Sequence, residues 1–231
     1  DNYLQESPSD IQFEEKMNME LLKLTKPVYI PTTDGEGNVS WGQVTEITKH
    51  DPGDKLYEIK TEGGRQVIVT AAKALLVWND ELHRFVRKAT PEVVVGDFVP
   101  VTAKLLSAPT IKDSIEFNTE TGTKNIALNS IHGVCAGLLF AGEAGNHQEY
   151  FENVDTDVIA WANQIGCEQM FTEAITAPDR FICGLLSGYL TGNSTVTKDT
   201  ITTVSNSRQL IDKIAMLCSR FGAFGEITSV D

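Results

Sequence analysis

The 231-residue chain is long enough for one large domain or two small ones, and 41% apolar with 22% charged residues is ordinary for a globular protein with a real core. A formal charge of −13 and a pI near 4.7 weigh against a surface built to neutralise phosphates, and so against an active DNA-processing enzyme.

Residues 1–26 read as a polar leader or tether. They are acidic at first (Asp1, Glu6, Asp10, Glu14, Glu15) and then helix-like over 14–22, with Met17, Met19, Leu21 and Leu22. From Pro27 the texture changes to short strands. Val28 to Pro31 and Val39 to Thr48 flank the turn signal Asp34-Gly35-Glu36-Gly37-Asn38, which predicts a hairpin. Leu56 to Thr61 and Gln66 to Thr70 flank Gly63-Gly64, and Leu75 to Trp78 and Leu82 to Val86 flank Asn79-Asp80. A last strand is expected from Glu92 to Val101. Strands and turn residues at this density make residues 27–108 an all-β domain.

Residues 109–231 form an α+β domain. Helices are predicted at 129–142, 157–175, 180–191 and 207–221, with a hairpin at 194–204. Two segments resemble each other: Val134-Cys135-Ala136-Gly137-Leu138-Leu139-Phe140-Ala141-Gly142 and Leu185-Leu186-Ser187-Gly188-Tyr189-Leu190-Thr191-Gly192-Asn193. Each is an apolar helix seeded with small residues. His132 and His147 flank the first without partners at metal-ligand spacing and read as loop or cap residues. Cys135, Cys167, Cys183 and Cys218 form no Cys-x-x-Cys pair. In apolar surroundings they are expected as reduced thiols of an intracellular protein (cytoplasm or nucleus), a disulfide or metal ligand being the alternatives. No apolar run approaches the roughly 18 residues of a membrane span, and no membrane partner is expected. The Asp1 start and Asp231 end read like those of an excerpt.

Gly64-Arg65-Gln66-Val67-Ile68-Val69-Thr70-Ala71-Ala72-Lys73, followed by Val95-Gly96-Asp97-Phe98-Val99-Pro100-Val101, resembles the Hint protein-splicing domain of inteins over about residues 27–105. The shared landmarks are a glycine turn, a strand ending in Thr-x-x-His and a later Val-x-Gly-Asp segment. The resemblance implies a Hint-like fold and autocatalytic splicing without a cofactor. A Cys or Ser side chain attacks the preceding carbonyl while a Thr and a His polarise that amide. Thr70 stands at the family's Thr, with an ordinary strand threonine as the other reading. Lys73 stands where the family has His: a lysine can donate a hydrogen bond to the amide oxygen but is a poor proton shuttle at neutral pH, and a solvated surface lysine is the plainer reading. The family also needs a nucleophile at its first residue and His-Asn at its last two. Asp1 and Val230-Asp231 supply neither, so splicing is expected only with missing N- and C-terminal intein segments and a flanking host protein as partners. Polymerases and other nucleic-acid enzymes are the hosts that the resemblance implies.

The two similar helices resemble those of LAGLIDADG homing endonucleases, which commonly sit inside inteins, and the segment 205–227 resembles the stretch after the second motif in that family. There the helices pack side by side through small residues, and an acidic residue at each helix end holds the divalent cation that activates water. Aligned on Gly137 and Gly188, those positions fall at Gly142 and Asn193, neither a carboxylate. Glu143 stands one residue past the first. Only 51 residues separate the aligned glycines, too few for a DNA-reading sheet in the first half, and from Pro109 onward 7 Lys or Arg face 15 Asp or Glu. The expectation is a degenerate, truncated endonuclease domain with doubtful DNA binding. A Mg-dependent endonuclease cutting double-stranded DNA and a non-catalytic structural module are the alternatives.

Overall fold

The computed structural model describes residues 8–120, 122–152 and 154–229. The readings placed on residues 1–7, Asp1 among them, and on Val230-Asp231 lie outside these. The chain divides into two units between Thr102 and Ala103, ahead of the compositional change at Pro109.

In the first unit every strand pairing is a local hairpin. β1 (Gln12–Glu14), β2 (Met19–Thr33) and β3 (Val39–His50) form an antiparallel sheet in that order. The helix expected over 14–22 is therefore a correction: Gln12 pairs with Leu21 and Glu14 with Met19 around a turn in which Asn18 takes φ 48°. A nine-residue window is too short to hold a helix without tertiary support, whereas β2 gains a ladder of pairs from Met19↔His50 to Thr33↔Val39. The ladder shifts register between Lys23 and Val28, and the irregularity accommodates Pro27, which has no N–H to contribute. The β2–β3 turn is closed by the Asp34 carboxylate, which accepts hydrogen bonds from the backbone N–H of Glu36 and Asn38 (2.9 Å each) and from Asn38 Nδ2 (3.0 Å).

The hairpins at 56–70 and 75–86 form close to where the turn residues placed them, as β4 (Leu56–Lys60) with β5 (Gln66–Thr70) and β6 (Ala74–Asn79) with β7 (Arg84–Ala89). Glu92 to Val101 is not a strand, and this too is a correction. A 3-10 turn at Thr90–Glu92 leads into a reverse turn in which Asp97 N–H donates to Val94 O (3.2 Å) and Val94 N–H donates back to the Asp97 carboxylate (2.9 Å). Gly96 supplies the φ of 101° that this reversal needs. Trp78 N–H then holds Phe98 O at 2.8 Å.

The second unit opens with a hairpin that no sequence signal marked, β8 (Ser114–Thr119) and β9 (Gly122–Ala127). α1 (Ser130–Ala141) follows, capped by Asn129, whose side chain accepts from His132 N–H. The helix expected over 157–175 is divided by Gly166 (φ 77°) into α2 (Thr156–Ile165) and α3 (Cys167–Glu173). α4 (Asp179–Asn193), the short hairpin β10 (Ser194–Val196) with β11 (Ile201–Thr203), and α5 (Arg208–Ser219) complete the unit near the predicted positions. Its core is continuous: Phe117 and Ile126 of the β8–β9 hairpin join Trp161, Phe171, Phe181, Leu185 and Leu217. Arg220 is buried beneath it, donating to Ile175 O, Ser107 Oγ and the Asp179 carboxylate. Cys135 is buried and donates from Sγ to Tyr150 O, and burial pushes the Cys167 thiol up to about 11. Cys183 is exposed, against the expectation of apolar surroundings for all four cysteines. Among the described residues no helix is long and apolar enough to cross a membrane.

Candidate functional site

The two small-residue helices pack against each other. Gly133 of α1 faces the backbone of Phe181 and Leu185, and Gly137 faces Leu185, Gly188 and Tyr189. From α4, Gly184 faces Ser130 and Val134, and Gly188 faces Val134, Gly137 and Leu138. At each of the four glycines an added Cβ would fall within 3.0 Å of the neighbouring helix backbone. The contacts ascend in step along both helices, so α1 and α4 run parallel. Backbones can approach this closely only where neither helix carries a side chain between them.

Parallel packing brings the two C-terminal ends together. α1 ends at Gly142, in the left-handed region at φ 75°, with its N–H turned back to Leu138 O and Leu139 O. Glu143 N–H donates to Leu138 O at 2.9 Å, completing a Schellman-type stop. The open left-handed position at 142 thus belongs to the helix stop, and the carboxylate of this helix end comes one residue later. Glu143 lies against the end of α4: a Cβ on Gly192 would strike Glu143 Cγ. Its carboxylate accepts from Asn146 Nδ2 at 2.6 Å. On the other helix Asn193 is half-buried, its backbone O held by Thr203 Oγ1 at 2.6 Å at the entry to the β10–β11 hairpin.

The junction therefore brings Glu143 against the last turn of α4, which ends at the neutral Asn193. Among the described residues no group of three His, Cys, Asp or Glu is placed to hold a metal ion. Glu143 is the carboxylate at the end of α1, and the last residue of α4, Asn193, has none to set beside it. His132 sits in the first turn of α1 with Nδ1 2.6 Å from Ala127 O, and His147 lies between two 3-10 turns with Nδ1 3.5 Å from the Glu149 carboxylate.

In the first unit Thr70 closes β5, opposite Leu56, and its carbonyl accepts from Lys73 N–H at 3.1 Å. Thr70 is half-buried and Lys73 is exposed. The sequence reading missed Thr90, which is 1% exposed and gives both its N–H (3.1 Å) and its hydroxyl (2.5 Å) to Lys73 O. That clamp fixes the backbone of the Thr70–Lys73 turn, and no spacing rule marks a threonine 17 positions away. Asp97 forms a 2.7 Å ion pair with Lys88 of β7, and the lysine together with Val94 N–H holds its carboxyl below the usual carboxylate range.

Residues 180–230 match a LAGLIDADG-like domain, a span that starts within the first turn of α4 and runs past α5. The chain is also 24% identical over 277 aligned positions to the DNA-directed RNA polymerase subunit Rpo1C of Methanocaldococcus jannaschii, covering 92% of this chain and 32% of that protein. It is 36% identical over 76 residues to the DNA polymerase II large subunit of Methanoculleus marisnigri, covering 33% of this chain and 6% of that protein. The chain thus spans about a third of the length of the first relative and far less of the second.

Proposed function

We propose that the chain belongs to an intein: the first unit contributes to a Hint splicing domain and the second is an endonuclease domain that no longer cuts. The observation carrying this reading is the parallel, glycine-to-backbone packing of α1 and α4, with α4 opening the LAGLIDADG-like match. The relatives add a second support. An RNA polymerase subunit and a DNA polymerase subunit do different chemistry, so a segment resembling parts of both is better explained as an inserted element than as either enzyme's own machinery. The two glycine-bearing turns around Gly64 and Gly96 and the Thr70–Lys73 turn fit the splicing half.

In this reading flanking segments bring the opening Cys or Ser and the closing His-Asn, and the reaction runs through acyl shift, transesterification and asparagine cyclisation without a cofactor. Thr70 Oγ1 and Lys73 Nζ would donate to the oxygen of the scissile amide, with Thr90 as the positioning residue beneath them. Joining the chain to such segments and following ligation of the flanks by gel tests this. Splicing is expected, slowed on the order of 100-fold in Thr70→Ala, as for loss of one donor to a developing oxyanion. Failure of every flanked version while the protein remains folded would sink the reading.

The endonuclease alternative has one observation in its favour, the Glu143 carboxylate at the helix junction. Incubation with double-stranded DNA and Mg²⁺ decides it. Nicking lost in Glu143→Gln would establish activity, and no nicking is expected.

A further inference from the structure

Along the second unit runs an open groove of about 570 Å³, between β8 and α2, with Lys112 and, from α3, Glu173 at its margins, so that its charged lining is two carboxylates to one ammonium. Five consecutive residues of β8, 114–118, line it. Successive side chains of a strand point to opposite faces, so a wall made of an unbroken run is the strand's edge and not one face. The ladder register says which backbone groups that edge presents. Leu128 N–H donates to Asp113 O across an opposed pair, and pairs in an antiparallel ladder alternate between bonded and non-bonded. Ile115 and Phe117 therefore bond to β9, while the N–H and C=O groups of Ser114, Glu116 and Asn118 point away from it into the groove. All three residues are exposed.

We propose that this groove accepts an extended segment of a partner protein, alternately cationic and apolar, as a third strand on β8. A strand added to an edge continues the face alternation of its neighbour. One face of β8 carries Ser114, Glu116 and Asn118. The other carries Ile115 and Phe117, with Trp161 and Ile165 of α2 across the groove. An incoming strand matches the first face with cationic side chains opposite Glu116 and the second with apolar ones. Glu116 makes no ion pair among the described residues, which leaves its charge available. The same residue disfavours a second copy of this chain: antiparallel β8–β8 pairing centred on it would set Glu116 against Glu116, between molecules of charge −13. This inference does not depend on splicing.

The probe is the peptide acetyl-Lys-Val-Lys-Val-Lys-Val-amide, titrated into the full chain and followed by amide hydrogen exchange. Protection is expected at the Ser114, Glu116 and Asn118 amides, with the already bonded Ile115 and Phe117 amides changing little. That alternation separates strand addition from a cation merely collecting on an acidic protein. Glu116→Lys, an exposed change that leaves the core intact, should weaken the cationic peptide about fivefold, the loss of one exposed attraction and its replacement by a repulsion. Three results would each overturn the proposal: no protection at saturating peptide, equal binding of acetyl-Glu-Val-Glu-Val-Glu-Val-amide, or protection that appears with rising protein concentration alone, which would mark self-pairing.

Discussion

The hairpin unit and the helical unit are held by different means. In the hairpins, backbone ladders and local polar closures carry the structure: Asp34 across the 34–38 turn, Thr90 under Lys73, and Asp97 between Lys88 and Val94. Apolar side chains such as Leu56 and Ile68 stay exposed, Ile68 at 63%. The helical unit instead buries Phe171, Phe181, Ile182, Leu185 and Leu217 completely and lets two helix backbones touch through glycines. Sensitivity to substitution should therefore track side-chain volume in the helical unit and individual hydrogen bonds in the hairpins.

The largest test of this contrast is Phe171→Ala, expected to cost about 3–5 kcal/mol through lost burial and a residual cavity. Ile68→Ala should stay within about 0.5 kcal/mol, as exposed substitutions do. Denaturant unfolding of the full chain can separate the units, since Trp161 reports on the helical one once Trp41 and Trp78 are replaced by Phe. A comparable loss at Ile68 would erase the contrast. Next comes Gly137→Val, about 3 kcal/mol, because its side chain would have to enter the space occupied by the Leu185 and Tyr189 backbone. A near-neutral result by the same measurement would mean that the helices can separate without loss. Arg220→Ala should come third, at about 2 kcal/mol. Its guanidinium is buried, but the Asp179 carboxylate it leaves is half exposed and regains water, so the full cost of breaking a buried pair is not reached.

Legibility in the sequence divides along the same line. Hairpins were readable wherever the turn chemistry was explicit, as at Asp34 to Asn38 and Gly63-Gly64, because those residues determine the reversal locally. The β8–β9 hairpin was not, since Glu120-Thr121-Gly122 is a weak turn signal and its one buried stripe, Ile115, Phe117 and Ile126, is defined only by the helices it meets. The helix at 14–22 was misread because a short amphipathic window cannot announce a long partner strand, and the 92–101 strand because Gly96-Asp97 looked like part of a strand when it makes the turn. At the helix pair, Gly137, Gly188 and Gly192 were visible, but Gly133 and Gly184 were missed although each stands four residues before Gly137 or Gly188 on the same face, a spacing that signals close helix contact. The displacement of the carboxylate from 142 to 143 depends on the left-handed φ of Gly142, which the alignment of motifs could only present as a vacancy.

The smallest expected effect probes the hairpin unit on its own terms. Hydrogen bonding and charge from Lys88, together with Val94 N–H, lower the Asp97 pKa below its ordinary 3.8. The stabilisation this gives is present above the ordinary value and is lost as pH falls through the lowered one, so the loss is centred below pH 3.8. Following the Asp97 carboxyl and the Val94 amide by NMR during acidification should show both moving together in that window, with the Val94 response abolished in Asp97→Asn. The Lys88–Asp97 pair is half-buried but keeps contact with solvent, which screens it, and the midpoint of denaturation should hardly move. If Asp97 titrates at its ordinary value with Val94 unaffected, the 94–97 turn is held by the Gly96 backbone and the Trp78–Phe98 hydrogen bond instead, and local polar closure is not what maintains this part of the hairpin unit.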